Sequence, residues 1–261
     1  MNLFRLAWIF FRIGAMNELQ YRVNFFVQVF QSFLGLGTGL VGLALVFSHT
    51  NDLAGWSRTE LLAVMGVHIL MGGLIRTTIQ PNMERLMGDI QQGTLDYALT
   101  KPADAQVLVS VREVRVWQTV DIVMGFIVLL MAVYQLQAGV GIGQALAFAA
   151  VLLMGGLMIY SFWLMLTTGA FWVIRMENIL ELFQGVYQAG RWPVGIYPNW
   201  LRTGLTVLVP VAFAVTVPAE ALTARLTSET LLAAAALSFA LLLLARWVWR
   251  TGLRRYSGAS A

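Results

Sequence analysis

Five apolar runs, each long enough to cross a lipid bilayer, limit what this chain can fold into. Phe25 to Phe47 gives 23 residues without a charge, and Leu146 to Ile174 gives 29. A hydrocarbon core of about 30 Å needs roughly 20 apolar residues in a helix. Thr59 to Gln80, Val116 to Leu136 and Leu231 to Val248 complete the set. Apolar residues make up 59% of the chain and charged ones 11%, against about 25% charged in soluble domains. A surface that faces lipid accounts for that difference. The expected fold is all-α: one polytopic membrane helix bundle over residues 1–261.

The segments between the runs carry the charge. Arg5 and Arg12 are seven residues apart and share one face, so residues 1–22 are expected to form an interfacial helix. No short apolar stretch with a small-residue cleavage site follows Met1, and no cleavable signal peptide is expected. Pro81 is expected to end the second span, because it has no amide hydrogen to donate. The densest charge lies in 81–115, which is expected in water. Between Arg175 and Glu229 the pattern is less regular. Residues 177–190 are amphipathic, and Leu205 to Val217 is apolar but broken by Pro210 and closed by Pro218. If 177–190 crosses, 199–218 is re-entrant; otherwise 203–219 is the fifth crossing. Six crossings result either way.

The net charge of +4 comes from basic residues spaced between apolar runs, a pattern of membrane topology rather than of nucleic-acid binding. With both termini in the cytoplasm, 13 of the 17 basic residues fall on the cytoplasmic side, among them Arg22, Arg76, Arg85, Arg112, Arg115 and Arg250.

Catalytic material is sparse. Cysteine is absent, and neither His49 nor His68 has a partner at metal-ligand spacing. No Gly-x-x-x-x-Gly-Lys-Ser/Thr loop is present to cradle phosphates. Gly37-Thr38-Gly39-Leu40-Val41-Gly42 matches a dinucleotide fingerprint in form only, since no strand precedes it; Gly35 and Gly39 instead offer a small-residue face for helix contact. We therefore expect no catalytic, cofactor or metal site. Asp121, Glu177 and Glu181 are the candidate intramembrane carboxylates. The row of carboxylates expected of a proton-coupled pump is missing, as is the cluster of polar groups that a lipid-modifying membrane enzyme would need. A non-transporting scaffold fits the absence of catalysis as well as a transporter does. Gln28, Gln31, Ser32 and Thr38 place polar groups on the first span, as lining for a translocation path or as helix-to-helix contacts.

The run from Asn82 to Pro102 contains Glu84, Arg85 and Asp89, then Gly93-Thr94-Leu95-Asp96 and Leu99-Thr100-Lys101-Pro102. It resembles the cytoplasmic loop of ABC-2 type permeases, where a charged helix between spans two and three ends in a Gly-Thr-Leu-acidic turn. Gly93 can adopt the left-handed conformation that stops a helix, and Thr94 can cap the next. Glu84, Asp89 and Asp96 recur at intervals of five and seven, so Asp89 and Asp96 would lie within about 20° on a continuous helix. A second element, Trp192-Pro193, Tyr197-Pro198-Asn199-Trp200 and Pro210, resembles the proline-rich re-entrant segment before the last span of that family. The resemblance covers nearly the whole chain. It implies a permease of an ABC exporter in the bacterial cytoplasmic membrane, paired with a second permease, identical or homologous. ATPase subunits that bind ATP and magnesium would dock on Glu84, Arg85, Asp89, Gly93, Thr94 and Asp96.

Overall fold

The computed structural model describes residues 22–136, 140–172 and 179–256, together with Ile9, Arg12 and Met16. The interfacial helix expected over 1–22, Glu177 and the side chain of Glu181 lie outside the described residues. Those described form α1 (Arg22–Phe47), α2 (Arg58–Gln91), α3 (Asp96–Leu99), α4 (Ala105–Ser110), α5 (Val116–Leu136) and α6 (Ile142–Phe171). They continue as α7 (Ile179–Ala189), α8 (Asn199–Leu208), α9 (Ala212–Leu222) and α10 (Ser228–Leu253). The fold is all-α, as expected. Helices α1, α2, α5, α6 and α10 are long and apolar enough to cross a membrane, and a sixth span results if α8 and α9 are counted as one.

Helix α2 is the central post. About 72% of its apolar window is buried inside the chain, against 11% for α1, so α1 stands at the edge of the bundle. Ser57 starts α2 through a capping box: its hydroxyl accepts from the Glu60 amide, and the Glu60 carboxylate accepts from the Ser57 amide at 2.8 Å. Arg225, beyond α9, pairs with Glu60 at 2.7 Å and fastens that end. Along its length α2 lies against α5 at backbone distance. A methyl group at Gly73 would sit 2.7 Å from the Ile122 nitrogen, so no larger residue fits.

Pro81 does not end α2, contrary to the sequence expectation. The helix runs through it to Gln91, with a wide π turn at Ile75–Ile79 just before. A proline ring crowds the carbonyl four residues back, here Thr77. In the wide turn that carbonyl accepts from the Arg115 amide at 3.0 Å. The Asn82 side chain seals the same junction, donating to the Glu113 carbonyl at 2.8 Å and accepting from the Glu113 amide at 2.9 Å.

Pro210 has the opposite effect. The residue before it, Val209, is forced to an extended conformation (φ −118°, ψ 101°), and α8 and α9 meet there at 76°. The second limb packs on α6, where Gly155 admits the backbone of Phe213 and Ala214. The first limb is more open, with Trp200, Val207 and Leu208 exposed.

Candidate functional site

A buried polar cluster sits where α1, α2 and α5 meet. Asp121, in the first turns of α5, is only 5% exposed. Its carboxylate accepts from Arg76 Nη2 at 2.7 Å, from Gln28 Nε2 at 3.1 Å, and from the Ser32 hydroxyl. Gln28 and Ser32 lie four apart on one face of α1, and Gln118 Nε2 donates to Gln28 Oε1 at 3.0 Å. Arg76 belongs to the π turn that Pro81 requires. Gly72, one turn earlier, leaves room for it: a methyl group there would lie 3.3 Å from both guanidinium amino groups and from a Tyr187 ring carbon. Sequence reasoning flagged Asp121 but expected no polar cluster. The cluster exists, because residues from three distant helices converge on one carboxylate.

Above the Arg76–Asp121 pair opens a cavity of about 250 Å³. Its floor is that pair with Gln28, Ser32 and Gln118; His68 and Arg191 line it further along. From His68 to Arg76 is eight residues of helix, about 12 Å. His68 is 6% exposed and stacks on Tyr187 at 4.6 Å, and its Nδ1 has no hydrogen-bond partner. Tyr187 donates to the His68 carbonyl at 2.7 Å. The Arg191 Nε is also buried without a partner. Leu36 and Ile69 add apolar lining, and Gln31, Gly35 and Gln188 on the same wall are exposed, so the cavity opens between α1 and α7.

Of the polar residues expected to line a path, Gln28, Gln31 and Ser32 do line this cavity. Thr38 does not: it is exposed and donates to the Leu34 carbonyl of its own helix at 2.8 Å. Gly35 has no neighbour where a methyl group would go, whereas at Gly39 that position lies 2.8 Å from the Met65 sulfur. Only the second glycine is used for contact within the chain. Arg191 directly precedes the proline-rich element, and its place on the cavity wall depends on the turn that ends α7. The element itself divides. Pro193 and Pro210 are buried, Trp192 packs on the core, and Tyr197 donates to the Ala189 carbonyl at 2.8 Å, while Pro198 and Trp200 are exposed.

Residues 81–115 were expected in water; within that stretch the end of α2 packs one face against the rest of the chain. Met83 and Leu86 are fully buried, and only one face of the helix carries charge. That charge is matched within the chain. Glu84 pairs with Arg115, Arg85 with Glu113, and Asp89 with Arg112 at 2.7 Å. Gly93 has φ +70°, and the helix ends in a Schellman turn: Thr94 N donates to Asp89 O at 2.9 Å and Gly93 N to Ile90 O at 3.4 Å. Thr94 does not cap α3; its hydroxyl donates back to the Asp89 carboxylate at 3.1 Å. Because the helix stops here, Asp96 begins a separate short helix and does not share a face with Asp89. Gln91, Gln92, Tyr97, Leu99, Thr100 and Lys101 are exposed around the turn.

No curated protein and no solved structure matches the chain. Residues 33–260 match the family described as "ABC-2 family transporter protein".

Proposed function

The chain belongs to the ABC-2 family of transporter proteins, and from that premise we propose that it is the permease subunit of an ATP-binding cassette exporter in the bacterial cytoplasmic membrane. It is a multi-pass membrane protein of a family whose members normally work with an ATPase subunit. The separate ATPase binds ATP and magnesium and docks on the turn at Gly93. A second permease, identical or homologous, packs on the exposed face of α1. The cargo path runs through the polar cavity, and both termini are cytoplasmic.

One observation carries this reading: α2 is a single 34-residue helix that joins the exposed turn to the cavity wall. At 1.5 Å per residue it is about 51 Å long. Displacement of the Gly93 end therefore moves Arg76 and His68 with no flexible loop between. The internal ion pairs of Glu84, Arg85 and Asp89 stiffen this lever; contact with the ATPase falls to the tip around Gly93, with Asp96 and Lys101 beside it.

The experiment is purification of the tagged chain from its native membrane. An ATPase subunit should co-purify, and the reconstituted complex should hydrolyse ATP faster with cargo present. The chain alone should not hydrolyse ATP. Recovery of a clean chain that hydrolyses ATP, or of one with no ATPase bound, would reject the assignment.

A further inference from the structure

The charges around the cavity do not balance. Asp121 neutralises Arg76 at 2.7 Å, and its two oxygens are already engaged by Gln28 and Ser32 as well. Arg191 lines the same space with no carboxylate paired to it among the described residues, and its Nε is buried and unpartnered. His68, buried beside it, also leaves a ring nitrogen unpartnered. Gln31 and Gln188 add amide hydrogens at the rim. Among the described residues the wall is therefore rich in donors, with apolar Leu36 and Ile69 between them, and carries one cation in excess. An unneutralised guanidinium among apolar helices is unfavourable, and is stabilised most by an acceptor with several oxygens in one plane or on one centre.

We propose that this cavity holds an anionic group, a carboxylate or phosphate, seated on Arg191, and that the exported cargo carries that group. The second clause rests on reading the cavity as part of the translocation path. The volume of about 250 Å³ equals that of roughly eight waters, enough for a charged head and a few carbons but not for a whole amphiphile. Next to the rim, Phe30, Phe33 and Leu34 of α1 are exposed. An attached hydrocarbon chain would lie along them, outside the cavity, between α1 and the second permease proposed to pack there. The anion therefore arrives either on a lipid-like molecule from the bilayer or as a free solute.

The test is calorimetric titration of the full chain in phosphatidylcholine nanodiscs, with dodecyl phosphate, inorganic phosphate and dodecyltrimethylammonium as probes. Dodecyl phosphate should saturate one site. Arg191→Gln should weaken it about tenfold or more, the loss expected for a charge-assisted hydrogen bond, and Arg191→Lys should restore part of it. Gln188→Glu, at an exposed position where folding is not at stake, should also weaken it by placing a fixed carboxylate on the wall. Saturation by inorganic phosphate as well assigns a free anion; saturation by dodecyl phosphate alone assigns a lipid-borne one. The proposal fails if neither anion saturates, if the cation binds as tightly, or if Arg191→Gln and Gln188→Glu both bind like wild type. Co-purification of the ATPase from the same membranes separates the two readings. An ATPase-bound chain that rejects anions keeps the permease and loses the anionic cargo. A chain that binds anions but recruits no ATPase keeps the site and loses the permease.

Discussion

At the scale of single residues, Asp121 is the most consequential group in the molecule, because it joins three helices through one carboxylate. Removing its charge leaves Arg76, on the floor of the cavity, without its counter-ion. Breaking a buried pair from one side costs about 3–5 kcal/mol, and the partial exposure of Arg76 lowers this to roughly 2–3. Asp121→Asn should therefore lower the unfolding midpoint in detergent by several degrees, and adding Arg76→Gln should recover part of the loss. A double variant no more stable than Asp121→Asn alone would show that the two charges are not coupled. Outside the membrane-spanning helices, Asp104 provides a pH-dependent contact. Its hydrogen bond to Arg246 holds its carboxyl below the usual carboxylate range. A lowered folded-state value means the stabilisation is complete above the ordinary value of about 3.9 and is lost progressively as pH falls from there through the lower folded-state value. The melting difference between wild type and Asp104→Asn should be visible at pH 6 and should shrink as pH is taken below the ordinary carboxylate value.

At the scale of elements, the turn at Gly93 and the junction at Asn82 fix where the exposed tip of α2 points. A β-branched residue at φ +70° is disfavoured by about 1–2 kcal/mol, so Gly93→Val should redirect the tip. Cargo-stimulated ATP hydrolysis by the assembled complex should drop severalfold, while the permease itself stays folded. Alanine at Glu84, whose carboxylate is paired with Arg115 within the chain, should change coupling little by comparison. Unchanged coupling in Gly93→Val would remove this turn from the transmission path. The stop at Gly93 was legible in the sequence because a glycine after a helical run has few other uses there. Continuation through Pro81 was not. It depends on where the Thr77 carbonyl finds a donor, and that donor, the Arg115 amide, comes from the far side of the loop. The same reason hid the cavity. Gln28 and Asp121 each read as an isolated polar residue, and only packing brings them to 3.1 Å. Span α5, by contrast, matches its expected limits, Val116 to Leu136, because apolar length alone decides them.

At the scale of the whole molecule, the distribution of arginine sets the orientation. Reporter fusions after Met1 and after Ala261 should both score as cytoplasmic, and a fusion in the Ser48–Ser57 turn should score on the opposite side. A cytoplasmic signal from that turn would invert the bundle and remove the turn at Gly93 from any ATPase.

The way α1 is held has a consequence for how the protein is made. This helix has little of its apolar window buried, and its side-chain hydrogen bonds at the Gln28 end reach Asp121, 93 residues later in the chain. At about 5–20 residues per second, the ribosome emits that partner roughly 5–20 s after Gln28 has entered the bilayer. During that interval Gln28 and Ser32 have no carboxylate to bind, and α1 must wait beside the translocon or be shielded by a membrane chaperone. Photo-crosslinkers at Gln28 in stalled nascent chains should report such neighbours before residue 121 emerges, and α5 afterwards.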